Sequence, residues 1–309
     1  MKVAIDATPL TVPTGGIARY TRELFSALQA GFPEDHYQLL EPGPGRWWSH
    51  GLPVTLHRNR FDVFHGADFA VPYVPVCASV MTLHDLSPWK REPWRAASSR
   101  VRRRTPWLLR LNLATIIITP TEAIRREAME FFGLPAERVA AVPEAAPALF
   151  QPPPEESRRG DFLLAVGAGG RKNLAMARAV AGHLGRELRV VGEGGPVSDA
   201  ELADLYQRAA ALLYPSFYEG FGLPLLEAMQ SGAPVIASRD PALMEVSGGA
   251  ALHVDAGDTR AWIEAVASVL RDPEPWRRRG LARAASFSWE RTARLTRDLY
   301  LEAVCRHAR

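Results

Sequence analysis

The chain is poor in cysteine: Cys77 and Cys305 are the only 2 among 309 residues. Far apart, with no CxxC and no histidine cluster beside either, they argue against a disulfide scaffold and a structural zinc, and they fit a reducing cytoplasm. Long apolar runs are missing as well. The longest, 69–83, is interrupted by Pro72 and Pro75 and falls short of the roughly 20 residues that span a bilayer. At the start, Val3, Ala4 and Ile5 give way to Asp6, too early for a signal-peptide core and suited to a first strand. No P-loop occurs, and neither half has a GxGxxG followed by an acid about 20 residues on, which speaks against a dinucleotide oxidoreductase. A DxD metal motif, internal repeats and low-complexity tracts are absent too.

What remains is an ordinary folded composition, 47% hydrophobic and 23% charged, long enough for two domains that each bury a core. The first half alternates strands and helices: strands at 3–6, 54–57, 62–66, 79–85 and 114–120, with a helix from about Ile17 to Ala30. Gln151-Pro152-Pro153-Pro154 and the polar 155–160 make the sharpest compositional break. Beyond it the alternation restarts with strands at 162–167, 188–192, 211–215 and 234–238 and helices at 173–185, 199–210, 224–231 and 258–271. The expectation is two doubly wound α/β domains, 1–154 and 155–288, and a terminal helix in 289–309.

Ligands of open α/β sheets gather beyond the carboxyl ends of the strands, and several polar groups fall there. The stretch Tyr214-Pro-Ser-Phe-Tyr-Glu219-Gly-Phe221-Gly222-Leu223-Pro-Leu-Leu-Glu227 brackets a glycine turn and a helix start with two carboxylates. Free amides at that start, with the helix dipole behind them, favour a diphosphate, while carboxylates accept hydrogen bonds from hydroxyls of a sugar or ribose. Gly15 and Gly16 open the first helix and permit close backbone approach. Arg171 and Lys172 lie between a strand and a helix, where cations oppose the dipole unless an anion is bound. His84 and Asp85 follow one strand and His65 lies at the end of another. His84 is read as a donor or acceptor near a reacting group, His65 as structural, and Asp85 as orienting the imidazole or capping the next segment.

Charge is concentrated in one place. Between 90 and 110 eight basic residues stand against Glu92 alone, a net +7 in a chain of net +3, interleaved with Trp89, Trp94 and Trp107. Such a segment suits the surface of an anionic membrane or an anionic acceptor, or is simply a solvated helix. No nucleic-acid motif accompanies it.

The stretch EGFGLPLLEAM resembles the donor-site signature of family 4 retaining glycosyltransferases, and TGGIARYTREL, THD and RKNL resemble further elements of that family. The resemblance implies a GT-B fold, two facing Rossmann-like domains with a C-terminal helix crossing back to the first. It implies transfer of a hexose-type sugar from a nucleoside diphosphate sugar to a hydroxyl acceptor, in synthesis of a glycan, polysaccharide or glycolipid, in the cytoplasm or at the inner face of the membrane. Residue by residue, it implies that Glu219 and His84 meet the transferred sugar and Glu227 the nucleotide ribose. Arg171, Lys172 and the backbone of Phe221, Gly222 and Leu223 would hold the diphosphate, faced by Gly15 and Gly16, with no metal cofactor. Two departures stand out: Ala168 replaces a common arginine, and the chain runs almost directly from Val191 to Asp199, where the family usually has another helix and strand beside the base. A non-catalytic sugar-nucleotide or headgroup-binding protein, or another GT-B enzyme such as an epimerase, is the alternative.

Overall fold

The computed structural model describes residues 1–11, 15–91, 94, 99–153, 160–195 and 197–308. Two compact units result: Met1–Lys90 with Ala96–Glu144 and Trp289–Arg309, and Arg91–Arg95 with Ala145–Ser288. The chain leaves the first unit after Glu144, ahead of the proline-rich break; Pro154 and 155–159 lie outside the described residues.

In chain order the first unit comprises β1 (Lys2–Asp6), α1 (Gly16–Gly31), β2 (His36–Leu40), α2 (Leu52–Arg58), β3 (Val63–Gly66), β4 (Ala78–Thr82), α3 (Ser99–Arg110), β5 (Ile116–Thr119), α4 (Glu122–Phe132) and β6 (Val139–Ala141). Its sheet is parallel throughout, in the order β2-β1-β3-β4-β5-β6. The central strands β3, β4 and β5 are buried along their whole length, as a parallel sheet covered on both faces requires. Helix α1 buries Ala18, Tyr20, Thr21, Leu24 and Leu28, the spacing of one helical face.

The strand expected at 54–57 is helical instead. Leu52, Pro53 and Leu56 are its buried positions, Pro53 sits in the first turn, and the Thr55 hydroxyl donates to the Gly51 carbonyl. The strand of that region is β2, whose register with β1 runs from Lys2 opposite His36 to Asp6 opposite Leu40.

The second unit contains β7 (Leu163–Val166), α5 (Leu174–His183), β8 (Leu188–Val191), α6 (Asp199–Arg208), β9 (Ala211–Tyr214), α7 (Leu223–Gln230), β10 (Val235–Ser238), α8 (Pro241–Ser247), β11 (Leu252–Val254), α9 (Thr259–Arg271) and α10 (Glu274–Ala284). This sheet too is parallel, in the order β11-β10-β9-β7-β8. β8 is an edge strand and only half-buried, and beyond it α6 starts at once with a capping box, Ser198 and Glu201 bonding each other's backbone amides. Pro196, inside the shortened connection, lies outside the described residues.

The last helix, α11 (Trp289–His307), belongs to the first unit and lies against α1, β3 and β4. Trp289, Thr292, Ala293, Thr296, Tyr300 and Ala303 form its buried face. Arg297 Nε donates to Asp35 Oδ2 at 2.6 Å, and Asp35 Oδ1 accepts from the N-terminal ammonium at 2.7 Å, which ties both chain ends to one carboxylate. No helix among the described residues is long and apolar enough to cross a membrane.

Candidate active site

At the carboxyl end of the second sheet, Glu219 and Lys172 meet. Lys172 Nζ donates to Glu219 Oε1 at 2.5 Å and to the Tyr214 hydroxyl at 2.9 Å. Lys172 comes from the turn after β7 and Glu219 from the turn after β9, and the Phe217 N–H bonds the Arg171 carbonyl at 2.8 Å to join the two turns. Gly167 makes room for the lysine stem: a Cβ there would stand 2.8 Å from its Cγ, Cδ and Cε. Burial pushes the Glu219 carboxyl up, but the Lys172 and Arg171 charges outweigh it and hold the group below the usual carboxylate range. Glu219 is therefore an ionised acceptor in a site only 5% exposed. Its own N–H points at Asp240 Oδ2, 3.3 Å away, while Asp240 Oδ1 caps α8 through the Ala242 and Leu243 amides.

The helix that follows is opened by Gly222 at φ 91°, a left-handed conformation, and an added Cβ would meet Leu243 Cδ2 at 2.4 Å. Only glycine fits both demands. Helix α7 begins at Leu223, with Pro224 in its first turn. Phe221 and Leu223 turn their side chains into the core, so a role in holding a ligand falls to their backbone. Glu227, on the same helix, is fully buried, and its Oε2 accepts the Tyr206 hydroxyl at 3.0 Å.

The first unit has its own constellation. His84, just beyond β4, points both ring nitrogens at oxygen acceptors: Nε2 at the Ala67 carbonyl, 2.8 Å, and Nδ1 at Glu144 Oε1, 3.5 Å. Burial pushes the imidazole pKa down, but the hydrogen bond and charge of Glu144, the charge of Asp68 and the Ala67 carbonyl together raise it above 6.5. The Tyr20 ring stands edge-on to His84, centroids 4.9 Å apart. Behind it runs a buried polar chain: Tyr300 hydroxyl to His65 Nδ1 at 2.6 Å, His65 Nε2 to Thr82 Oγ1 at 2.7 Å, and Thr82 to the Tyr20 hydroxyl at 2.9 Å. His65 is wholly buried, and that burial, aided by the charge of His84, pulls its pKa down to about 3. It is a neutral core residue.

Asp85 caps the next segment: its Oδ1 accepts both the N–H and the hydroxyl of Ser87. The carboxylate facing His84 is Glu144, beyond the end of β6, a residue that the motifs do not single out; its one signal is an acid just past a strand, Val139–Ala141. Gly15 caps α1 at φ 128°, and both it and Gly16 are exposed. Thr14 lies outside the described residues, as do 92–93 and 95–98 of the basic segment. Among the described residues no cluster of metal-ligating side chains gathers.

The fold is that of GT-B glycosyltransferases among the solved structures. Sucrose-phosphate synthase from Thermosynechococcus elongatus matches with a TM-score of 0.74 at 18% identity over 98% of each chain. Anabaena HepE in complex with UDP-glucose matches at 0.70 and 14% identity, over 98% of this chain and 100% of that one. By sequence, the family described as Glycosyl transferases group 1 matches residues 135–272 and Glycosyltransferase Family 4 matches 32–146. The O-antigen chain mannosyltransferase B of Escherichia coli is 31% identical over 97% of this chain and 99% of its own. This chain belongs to glycosyltransferase family 4. That alignment runs to 381 positions against the 309 residues present, so the relative has segments with no counterpart here.

Proposed function

We propose that this glycosyltransferase moves a hexose from a nucleoside diphosphate sugar to a hydroxyl acceptor with retention of anomeric configuration, in glycan, polysaccharide or glycolipid synthesis at the inner face of the membrane. The observation that carries the reading is the buried Lys172–Glu219 pair beside the glycine-opened start of α7. Glu219, ionised and held by Lys172, accepts hydroxyls of the sugar and is a poor candidate for a free nucleophile. Arg171, Lys172 and the amides at Gly222 and Leu223 receive the diphosphate, with the positive end of α7 standing where a metal would otherwise act. Glu227, fixed by Tyr206, takes the ribose hydroxyls, and donor entry has to uncover it. His84 serves the sugar, and Gly15 and Gly16 allow close approach from the first unit. The C1–O bond to the leaving phosphate breaks as the bond from C1 to the acceptor oxygen forms on the same face, and the acceptor proton passes to the departing phosphate oxygen. The domain division read from the sequence, 1–154 and 155–288 with 289–309 returning to the first, sets its boundary ten residues past Glu144, where the chain leaves the first compact unit. The basic stretch 90–110 gives the acceptor side a contact for an anionic group.

The name of the Escherichia coli relative makes mannose the first sugar to test. Melting temperature is measured with UDP, GDP, dTDP, CMP and NAD; a ligand at 100 times its Kd adds about 2.7 kcal/mol. A shift with one nucleoside diphosphate that disappears in Glu227→Ala supports the donor site and identifies the base. No shift, or one with NAD alone, overturns it. Retention is read from the anomeric configuration of the product, and turnover is expected to survive exhaustive chelation.

A further inference from the structure

The turn that carries Glu219 is supported from one side by the end of β10 and the start of α8. Three groups there reach it. The Ser238 hydroxyl donates to the Ser216 carbonyl, Asp240 Oδ2 accepts the Glu219 N–H at 3.3 Å, and the Leu243 side chain fills the space that a Cβ on Gly222 would need. Of the three, Asp240 is the one that bonds Glu219.

Asp240 divides its two oxygens between two tasks. Oδ1 accepts the Ala242 and Leu243 amides at 3.0 and 3.1 Å and so caps α8, which leaves Oδ2 for the turn. A carboxylate is a costly choice at this position. The group is only 6% exposed, and burial together with the charge of Glu219 pushes its pKa up to about 7, against the pull of the three amides. Serine caps a helix about as well as aspartate, with one oxygen and no charge. The cap alone therefore does not account for a second oxygen beside Glu219, whereas the bond to the Glu219 amide does.

We propose that Asp240 is a positioning residue for the transfer: through Oδ2 it fixes the backbone at Glu219, and so the direction in which the Glu219 carboxylate meets the sugar. The far end of Glu219 is already fixed, since Lys172 Nζ holds its Oε1 at 2.5 Å. A side chain pinned at both its amide and its carboxylate has little rotamer freedom left. That is the preorganisation a group aligning a reacting sugar requires. The assignment rests on the reading of Glu219 as the acceptor of sugar hydroxyls, while nucleotide binding through Glu227 does not depend on it.

Asp240→Ser separates the two tasks, because it supplies one oxygen, which the α8 amides take. Hydrogen exchange of the full chain, read by mass spectrometry, should be about tenfold faster across 216–222 in this variant and unchanged across 241–247. Asp240→Ala, which loses both oxygens, should speed both segments. Binding is then compared for the nucleoside diphosphate that shifts the parent and for its hexose conjugate: GDP with GDP-mannose, UDP with UDP-glucose, or dTDP with dTDP-glucose. Asp240→Ser should bind the bare nucleotide as the parent does and the sugar nucleotide about tenfold more weakly. Added to Glu219→Ala it should weaken the sugar nucleotide no further, because the residue acts through Glu219. Parental exchange across 216–222 in Asp240→Ser, equal acceleration of both segments, parental binding of the sugar nucleotide, or a further loss in the double variant overturns the proposal and leaves the donor site standing. A parent that shifts with no nucleotide overturns the donor reading, and this proposal with it.

Discussion

At the carboxyl end of each sheet a buried carboxylate faces a cationic group, but the two cations differ. Glu219 faces a lysine at 2.5 Å, and Glu144 faces a histidine at 3.5 Å. The Lys172 and Arg171 charges hold the Glu219 carboxyl below the usual carboxylate range, so its negative charge is constant near neutral pH. The imidazole of the other pair has its pKa raised from the usual 6.5 by Glu144, Asp68 and the Ala67 carbonyl against the pull of burial, so its charge is the one that depends on its neighbours and on pH. The same fold thus carries a carboxylate held ionised by cations in one unit and an imidazole whose pKa its acidic neighbours raise in the other.

The comparison breaks hardest at the fixed pair. Glu219→Ala is expected to lower kcat by about 100-fold, because a misplaced sugar forfeits its alignment. Lys172→Met strands a buried carboxylate and should destabilise the fold by about 3–5 kcal/mol in denaturant titration. Adding Glu219→Gln to Lys172→Met should return most of that stability and none of the activity; stability that stays low would mean the pair is not the cause.

Smaller effects separate the two histidines. Tyr300→Phe removes the partner of His65 Nδ1 and should cost about 1–3 kcal/mol, read as a lower Tm. His65, depressed to about 3 from 6.5, resists a proton that the unfolded chain accepts, so its contribution to stability falls as pH drops from 6.5 toward 3. His84 works in the opposite sense. Its folded pKa is raised above 6.5, so its contribution is complete below that pH and is lost as pH rises through the folded value. Glu144→Gln should therefore move the His84 imidazole titration, followed by NMR, to lower pH, and shift the pH limb of kcat/KM with it. Glu144, Asp68, His65 and Tyr20 are the groups around that ring, and Asp68 remains in the variant. An unmoved titration would assign the raised pKa to Asp68 and the Ala67 carbonyl.

Much of the fold is legible in the sequence. The strands β4, β5, β7, β9 and β10 read as apolar runs bounded by turn residues, because buried parallel strands face apolar neighbours on both sides. The run at 54–57, Val-Thr-Leu-His, misleads because its apolar–polar alternation imitates a strand over only four residues, and Pro53 is the stronger cue. β2 escapes notice since Tyr37 and Leu40 are its only buried positions, and β6 because three residues are too few to show alternation.

The stretch 214–227 is equally legible as a strand, a turn and a helix start, since Gly222, Pro224 and the two glutamates lie within one turn and one helix, where local spacing decides position. His84 stands out for the same reason, as a polar residue just past a strand. Its partner does not: Glu144 is 60 residues further on and meets the imidazole only because β4, β5 and β6 stand side by side in one sheet. The lysine at 172 and the tyrosine at 300 gain their partners in the same way, across β7 and β9 and from the last helix onto β3. Sequence by itself determined the alternation, the turns and which residue types stand at strand ends, because these depend on neighbours a few positions apart. Which carboxylate pairs with which cation, and so which histidine titrates, was decided by tertiary packing, because ion pairing and desolvation depend on distances that only the assembled sheets set.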